Sequence, residues 1–366
     1  MRRSVFASAL RVAQRWRDAH AASYRVPPVI PFGHATGRPP RILYLCPDSA
    51  TPSGGVRVIY RHVDLLNKLG FDAAVVHSRR GFRAHWFDNT TTVVAAPDVV
   101  ATTDDVLVVP ELYGAHLSRL QDGPRLVLFN QGAYYTFSGL RVEEAAVLRQ
   151  APVEAILTVS EDSLQMLRSV FEDTPVHYVR SVLDGAIFHP PDDVRGRRRI
   201  AYVTTRRDVE RHHLLSMLES RGRLSGWDRV AVEGLSERHV AEALRSSAIF
   251  LSFSALDGFG LPPAEAMACG CYVVGFHGQG GKEYFDPAYC RAIADAGLLA
   301  FTRAVEESAA AYDRDPEQFS AAGLQASRAV LQRYHLAGLR EDLLAFYATL
   351  GLEPDGCGRR FTRRRG

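Results

Sequence analysis

Residues 41–190, the first half of the chain, alternate short apolar runs with longer amphipathic segments. Five runs rich in β-branched and aliphatic residues have the length of buried strands: 42–46, 72–77, 105–110, 125–130 and 155–160. The segments between and after them predict helices at 56–69, 113–121, 142–150 and 161–171. Near-continuous apolar strands that alternate with helices are typical of a parallel sheet covered on both faces. We therefore predict a doubly wound first half.

The same alternation begins again after His189-Pro190-Pro191. This second half, residues 191–335, has predicted strands at 199–205, 229–234, 248–254 and 272–278, and predicted helices at 208–221, 236–246 and 262–269. A further helix at 336–350 is expected to cross back to the first half. The pattern predicts an α/β protein with two Rossmann-like, doubly wound parallel-sheet domains that face a central cleft. Because ligands of such sheets bind beyond the carboxyl ends of the strands, residues just after each strand are the functional candidates.

The two ends of the chain have a different pattern. Residues 1–40 predict an amphipathic helix followed by a linker, since the segment 26–40 contains five Pro. The apolar side of the helix would carry Phe6, Ala9, Leu10, Val12, Ala13 and Trp16, and its other side is rich in Arg. Such a helix either lies in the interface of an anionic membrane or packs on the protein itself, and the pattern leaves both open. Residues 351–366 predict a basic tail.

Charge separates the ends of this 366-residue chain from its middle. Residues 1–40 carry seven Arg and one Asp, and residues 351–366 carry five Arg, one Glu and one Asp. Since the whole chain has a formal net charge of only +3, the middle is acidic. An acidic middle argues against nucleic acid as a partner, because nucleic-acid binding needs a basic face.

The cysteines and the hydropathy favour a cytoplasmic protein. Five cysteines, an odd number, occur without a CxxC pair, so we expect neither disulfides nor a metal site. No uncharged apolar stretch reaches the ~18 residues of a membrane span. Arg11, Arg15 and Arg17 interrupt the only apolar region that could serve as a signal peptide. A peripheral position at the inner face of the cytoplasmic membrane would follow if the N-terminal helix binds lipid.

The strongest chemical signal is the sequence DGFGLPPAEAMACG at 257–270. Gly258 and Gly260 allow the backbone to approach a ligand closely, and a Pro suits the first turn of a helix whose free N–H groups bind phosphate. Glu265 follows in the opening turn, where its carboxylate could accept hydrogen bonds from ribose hydroxyls. The residues therefore indicate a nucleotide-phosphate loop with a ribose-binding acid. An ordinary helix start with a capping acid would leave the same pattern.

This stretch resembles the signature of the retaining GT-B glycosyltransferases, family 4 in particular: Glu-Gly-Phe-Gly-Leu, then a Pro, then Glu-Ala-Met-Ala-x-Gly. Asp257 and Glu265 keep the spacing of the two signature acids, with Asp in place of the first Glu. The resemblance implies the GT-B fold, with a nucleotide-sugar donor in the second half. It implies that Glu265 binds the donor ribose and that Asp257 lies near the donor sugar, as the catalytic acids. The donor-binding loop between them would be Gly258, Phe259, Gly260 and Leu261.

Two further segments resemble donor-binding parts of the same family. Gly54 and Gly55, after the first predicted strand, resemble the glycine loop that approaches the donor phosphates, although a turn with a helix cap has a similar composition. Arg206 and Arg211 keep the five-residue offset of the family's cationic pair on the donor diphosphate. Arg207 is a competing choice, and a solvated Arg cluster is the alternative to both.

The remaining candidates follow strands on both sides of the predicted cleft. Gly281 lies in a Gly-Gly loop that resembles one whose backbone contacts the donor sugar. In the first half, Glu111 and Asn130 stand at strand ends, and Tyr134 and Tyr135 follow. Polar groups beside aromatic faces suit a sugar acceptor, because hydroxyls need hydrogen-bond partners and the C–H faces of a sugar stack on rings. The two tyrosines could equally be ordinary loop packing.

The sequence thus predicts a retaining glycosyltransferase that needs no metal and no cofactor. It would move a sugar from a nucleotide-diphosphate donor to a glycan or lipid-linked acceptor, in cell-surface polysaccharide biosynthesis. The alternative is a non-catalytic glycan-binding or assembly protein on a decayed glycosyltransferase scaffold, which Asp257 suggests. A nicotinamide-dependent oxidoreductase is disfavoured, because the first half has no GxGxxG turn.

Overall fold

The computed structural model of the protein describes residues 26–120, 123–138 and 140–354. The predicted amphipathic helix within residues 1–25 and the Arg-rich part of the C-terminal tail lie outside the described residues. Among the helices that are described, none is long and apolar enough to cross a membrane.

A seven-stranded parallel sheet forms the centre of the first half. The elements of this half are β1 (Phe32–Gly33), β2 (Ile42–Leu45), α1 (Gly54–Leu69), β3 (Ala73–His77), β4 (Val93–Ala95), β5 (Ala101–Thr102), β6 (Val106–Pro110), β7 (Arg125–Asn130), β8 (Val153–Thr158), α2 (Glu161–Val170) and β9 (Val176–Tyr178). The strand order is β4-β3-β2-β6-β7-β8-β9, so the order reverses between β2 and β6. All five predicted strands of this half are present.

The second half repeats this arrangement with a five-stranded parallel sheet. Its elements are β10 (Arg199–Val203), α3 (Asp208–Arg221), β11 (Asp228–Val232), α4 (Glu237–Arg245), β12 (Ile249–Asp257), α5 (Leu261–Ala268), β13 (Tyr272–Gln279), β14 (Cys290–Ala292), α6 (Leu298–Arg314) and α7 (Pro316–Arg333). The order β11-β10-β12-β13-β14 reverses between β10 and β12. The predicted fold class, two doubly wound parallel sheets, is confirmed.

Two segments predicted as α-helices, 113–121 and 142–150, form 3-10 turns at Glu111–Leu120 and Val142–Gln150 instead. In the first, Gly114 packs backbone against backbone, since a Cβ on it would lie 2.5 Å from the carbonyl oxygen of Thr136. In the second, Leu148 is buried but Val142 is exposed. An apolar face this narrow gives a regular helix little tertiary support.

The sequence analysis missed α6 and α7, although the start of α7 carries a clear signal. The Asp315 carboxylate accepts a hydrogen bond from the N–H of Gln318 at 2.9 Å, and Pro316 is the first helical residue. α7 packs tightly behind α5, because a Cβ on Gly323 would overlap the carbonyl group of Gly270. The hydroxyl of Ser327 also donates to the carbonyl oxygen of Ala268 at 2.7 Å. α7 therefore supports the helix that carries Glu265.

Residues 26–40 are not the free linker that their prolines predict. β1 pairs in parallel with β5, and Ile30 is buried in the core of the first half. Arg38 and Arg41 each place an Nη2 atom 2.8 Å from Oδ2 of Asp105, whose side chain is fully buried. Prolines are compatible with such an extended edge segment, since an edge strand can leave their missing N–H groups unpaired. This segment is part of the first half.

α8 (Leu336–Thr349) follows the second half in the chain but contacts the first. The hydroxyls of Tyr347 and Tyr44 are 2.9 Å apart and both residues are fully buried. Nε of Arg180 lies 2.7 Å from Oδ2 of Asp342. One apolar core includes α8 together with residues from both halves, so this helix binds the two sheets into one body.

Asp105→Asn is expected to destabilise the protein by about 3 kcal/mol, because it leaves two guanidinium groups around a buried site without their counter-charge. Burial acts to raise the pKa of Asp105, but hydrogen bonds from Arg41 and Thr102 lower it overall. The wild type should therefore lose this stabilisation as the pH falls through the depressed pKa. Urea unfolding measures both effects.

Asp98→Asn is the matched control, since Asp98 forms an exposed ion pair with Arg80. Loss of an exposed pair should leave stability almost unchanged. Equal effects of the two substitutions would contradict the structural role assigned to residues 26–41.

Candidate active site

The carboxyl ends of the two sheets face a common cavity of about 790 Å³. It lies where the strand order reverses, between β2 and β6 in one sheet and between β10 and β12 in the other, which is where open α/β sheets bind ligands. The predicted residues that line it are Gly54, Gly55, Glu111, Tyr135, Arg206, Asp257, Gly258, Phe259, Gly260, Leu261 and Glu265. Five other candidates do not line it: Asn130, Tyr134, Arg207, Arg211 and Gly281.

Glycines allow the loop after β12 to touch the opposite half. A Cβ on Gly258 would overlap the carbonyl group of Gln131, and Gly132 forms an antiparallel bridge with Asp257. Gly260 has a φ of +85°, a left-handed conformation that favours glycine, and α5 begins directly after it. The two glycines of the signature are therefore required for different reasons, one for close approach and the other for the turn.

Glu265 is buried and faces the cavity, with 6% of its surface exposed. It is the fifth residue of α5, so it lies beyond the opening turn in which the sequence placed it, and it does not cap the helix. Its Oε1 accepts a hydrogen bond from Nη2 of Arg57, a residue of α1 on the other side of the cavity. Nη1 of Arg57 also lies 2.7 Å from Oε1 of Glu237, the first residue of α4.

Arg57 and Glu237 are the principal site residues that the sequence analysis missed. Burial acts to lower the pKa of Arg57, but the charges of Glu265 and Glu237 raise it overall, so the guanidinium stays charged. A signal was present in the sequence, because Arg57 stands four residues into α1, where a cation opposes the helix dipole. Its partners could not be named, since Glu237 and Glu265 are about 180 and 208 residues away in the chain.

The structure distinguishes between Arg206 and Arg207. Arg206 lines the cavity, and its Nε lies 3.2 Å from Oδ1 of Asp257. Arg207 turns away from the cavity: its Nε donates to the carbonyl oxygen of Ser254 at 2.9 Å, and its guanidinium lies over the ring of Phe276. Of these two neighbours, only Arg206 can meet a ligand in this arrangement.

Arg211, the second member of the predicted cationic pair, supports the loop that carries the first. Its Nη1 donates to the carbonyl oxygens of Thr204 and Arg206 at 2.5 and 2.9 Å, and lies 2.9 Å from Oδ1 of Asp208. Arg211 does not line the cavity beside Arg206, and its Nη1 is already engaged by carbonyl oxygens of the loop before α3 and by Asp208.

Gly54 and Gly55 begin α1, and both line the cavity. Ser53 caps the helix, with its Oγ 3.5 Å from the N–H of Val56. A Cβ on Gly54 would lie 2.9 Å from Cδ1 of Leu261, the first residue of α5. The N-termini of α1 and α5 therefore meet across the cavity, and their free N–H groups converge there.

The Gly280–Glu283 turn, which contains Gly281, joins the two halves instead of lining the cavity. Oε2 of Glu283 accepts a hydrogen bond from the N–H of Glu161 at 2.8 Å, and Nζ of Lys282 lies 2.7 Å from Oδ1 of Asp162. Burial raises the pKa of Glu283, against hydrogen bonds from Tyr334 and the α2 N-terminus. Gly281 itself does not line the cavity.

On the first-half wall, Glu111 is 5% exposed and lines the cavity. It accepts hydrogen bonds from backbone N–H groups, including those of Gln131 and Gly132, but burial raises its pKa to about 7. Asn130 is fully buried and uses its amide inside the loop, where Nδ2 donates to Thr136 Oγ1 at 3.0 Å. Asn130 therefore holds the wall in place without reaching the cavity.

An aromatic cluster completes this wall. Tyr135 lines the cavity, together with Trp86 and Phe87, whose ring centroids are 4.6 Å apart. Tyr134 has a φ of +64° and does not line the cavity. Sequence analysis missed Trp86 and Phe87 because they lie in an irregular segment between β3 and β4, where no strand end or motif marks them.

The cysteines within the described residues, Cys46, Cys269, Cys271 and Cys290, are buried free thiols. In the same part of the chain, no three His, Cys, Asp or Glu side chains come together as metal ligands would.

Solved structures have the same fold. Sucrose-phosphate synthase of Thermosynechococcus elongatus superposes on 85% of this chain and 99% of its own, with a TM-score of 0.63 at 12% sequence identity. Anabaena HepE in complex with UDP and glucose superposes on 84% of this chain and 99% of its own, with a TM-score of 0.61 at 11% identity. This protein has the GT-B fold, as the signature after β12 implied.

The sequence comparisons indicate a class of protein. Residues 223–314, which include the whole signature, match the family model "Glycosyl transferases group 1". An α-1,6-glucosyltransferase of Actinobacillus pleuropneumoniae serotype 7 (strain AP76) is 26% identical over 246 residues, which cover 64% of this chain and 72% of that protein. The chain is therefore a glycosyltransferase, and the resemblance of its sequence to GT-B glycosyltransferases is confirmed.

The raised pKa of Glu111 predicts that the stability of the folded protein depends on pH. A carboxyl group with a pKa of about 7 in the folded protein and 4.5 in the reference state binds more protons when folded, so stability falls as the pH rises between these values. The loss amounts to at most about 3 kcal/mol. Glu111→Gln removes the titrating group, so its stability relative to wild type should rise over this pH interval in urea unfolding.

Glu242→Gln, on the exposed side of α4, is the control for the loss of one carboxylate. If the stabilities of Glu111→Gln and wild type keep a constant difference at every pH, the raised pKa of Glu111 is contradicted.

Proposed function

We propose that this glycosyltransferase transfers a sugar from a nucleotide-diphosphate donor to a glycan or lipid-linked acceptor, with retention and without a metal ion. The observation that carries the proposal is the position of Glu265, a buried carboxylate that faces the cavity between the sheets. It stands behind a glycine turn and a helix N-terminus, the arrangement that binds a nucleotide's ribose and phosphates. The HepE structure with UDP and glucose supports the donor class.

The second half supplies the proposed donor contacts. The Glu265 carboxylate accepts hydrogen bonds from the ribose hydroxyls, and the free N–H groups at the start of α5 meet the diphosphate. Asp257, at the end of β12, accepts from a hydroxyl of the donor sugar. Arg206 lies beside Asp257 and adds a cation next to the diphosphate.

Catalysis in this proposal depends on placement and electrostatics. When the bond between the anomeric carbon and the phosphate oxygen breaks, the nucleoside diphosphate leaves with additional negative charge. Arg206 and the positive ends of α1 and α5 stabilise that charge. Holding donor and acceptor in contact lowers the barrier further, because the loss of their translational freedom has occurred on binding.

The first half supplies the proposed acceptor wall. Glu111 can accept a hydrogen bond from an acceptor hydroxyl, and Tyr135, Trp86 and Phe87 offer faces on which a sugar ring stacks. The wall is close to the donor loop, since Gly132 bridges to Asp257. A role in cell-surface polysaccharide biosynthesis is consistent with such a sugar-binding surface.

Calorimetric titration with UDP-, GDP- and dTDP-sugars tests the donor site. Glu265→Gln should weaken binding of the preferred donor about 10–100-fold, because hydrogen bonds to a charged acceptor contribute roughly 1.5–3 kcal/mol. Glu242→Gln on the outside of α4 should bind like the wild type. Unchanged donor affinity in Glu265→Gln, with a thermal midpoint equal to the wild type's, would disprove the assignment.

A glycan-binding or assembly function without catalysis is distinguished in the same system. The wild type should release nucleoside diphosphate from the donor that it binds, and faster with acceptor present, even with a chelator added. Tight donor binding without any release would favour the non-catalytic alternative, and loss of release on chelation would contradict metal independence.

We also propose that the enzyme works at the inner face of the cytoplasmic membrane, on the basis of the Arg-rich amphipathic pattern in residues 1–25 and the basic tail. Full-length protein should sediment with vesicles that contain anionic phosphatidylglycerol and far less with neutral phosphatidylcholine vesicles. Deletion of residues 1–25 should reduce sedimentation. The same partition with and without these residues would show that the helix does not anchor the protein.

A further inference from the structure

The cavity has an unusual charge balance for a site that receives a diphosphate. Among the described residues that line it, five carry carboxyl groups and two carry guanidinium groups. The guanidinium groups are Arg206 from the second half and Arg57 from the first. Arg206 already lies 3.2 Å from Asp257. An anionic ligand therefore needs a second cation, and Arg57 is the other guanidinium group among the described lining residues.

Arg57 is held by two carboxylates of the opposite half at once. Nη2 donates to Glu265 and Nη1 lies 2.7 Å from Glu237, and the three side chains are between 8% and 18% exposed. Glu265 faces the cavity one turn inside α5, whereas Glu237 begins α4. The planar guanidinium thus bridges two helices of the second half from α1 of the first.

The proposed donor competes for one of these two links. Ribose hydroxyls that donate to Glu265 would take acceptor positions that Arg57 now uses, while Glu237 can keep its hold on Nη1. Nη2 then loses its partner while it stays in the cavity beside the N-termini of α1 and α5. A buried guanidinium with a free N–H group recruits the nearest anion, because an unpaired buried charge is costly.

We propose that Arg57 is a donor-recognition residue: its guanidinium passes from Glu265 to the donor diphosphate when the ribose binds, with Glu237 as the fixed anchor. The inference rests on the proposed donor site. It makes the diphosphate pocket a joint product of both halves, with Arg206 from one and Arg57 from the other. The Arg57 side chain then couples donor binding to the contact between the two halves.

Calorimetry with UDP, GDP and dTDP and with the matching nucleosides tests this role. Arg57→Gln should weaken binding of the preferred diphosphate about tenfold or more, the effect of losing one hydrogen-bonded charge. Nucleoside binding should be unchanged or tighter, because Glu265 loses a competitor for the ribose. The ratio of the two affinities is therefore the readout, and a purely structural residue would leave that ratio unchanged.

Lys68→Gln is the control, since Lys68 is an exposed cation in the last turn of α1 and does not line the cavity. It should keep the wild-type ratio of diphosphate affinity to nucleoside affinity.

If Arg57→Gln does not fold, Arg57→Lys tests the same role. An ammonium group cannot bind Glu237 and a diphosphate in the bidentate way that a guanidinium can, so the ratio of diphosphate affinity to nucleoside affinity should still fall.

The outcomes are distinct. A wild-type ratio in Arg57→Gln, or in Arg57→Lys where that variant is needed, overturns the role of Arg57 and leaves the donor site intact. Failure of the wild type to bind any of the three diphosphates overturns the proposed donor site and this inference together.

Discussion

Direct contact between three backbone loops inside the cleft is the constraint on which the rest of the site depends. The loop after β12 lies between the loop after β7 and the turn after β13, so closely that a Cβ on Gly258 would overlap Gln131 and a Cβ on Gly280 would overlap Gly258. Only glycine allows backbones to approach this far. Because the loops touch, the carboxyl ends of the two sheets are fixed against each other, and residues that follow β2, β6, β10 and β12 share one cavity.

A buried cation, Arg197, contacts the C-terminal ends of α4 and α5, the helices that carry Glu237 and Glu265. Arg197 is 4% exposed and donates to carbonyl oxygens near the C-termini of α4 and α5, among them Leu244 at 3.4 Å and Gly270 at 3.3 Å. Carbonyl groups at a helix C-terminus carry partial negative charge and stabilise a cation there. With both C-termini fixed to one side chain, Glu237 at the start of α4 and Glu265 in the middle of α5 are held at a separation that Arg57 can bridge.

The sequence was sufficient where a local pattern determines the structure. Nine of the twelve strands in the two sheets follow from apolar runs, whereas the three-residue strands β4, β9 and β14 were not predicted. The turn around Gly258 and Gly260 follows from backbone conformations that glycine permits. It was insufficient where a tertiary contact decides: the prolines of 26–40 gave no sign of Asp105, and the spacing that paired Arg211 with Arg206 gave no sign that Arg211 binds carbonyl oxygens of the loop before α3. Arg57 illustrates the limit, since its charge was visible but its partners are brought together only by the fold.

The arrangement of acids and cations also determines which class of ligand the cavity favours. Asp257 and Glu265 accept hydrogen bonds, whereas Arg206 and the start of α5 attract an anion, and the chain presents them in the order acid, N–H loop, acid. A bare phosphate can bind the helix N-terminus, but it has no hydroxyl groups to donate to the two carboxylates, which would repel it. A neutral sugar has hydroxyl groups for the carboxylates but no negative charge for the helix N-terminus. A nucleotide sugar carries hydroxyls on both sides of a diphosphate. The order of its groups, hydroxyl, diphosphate, hydroxyl, matches the order acid, N–H loop, acid along β12 and α5. The residues that disfavour a bare phosphate or a neutral sugar would therefore favour the proposed donor.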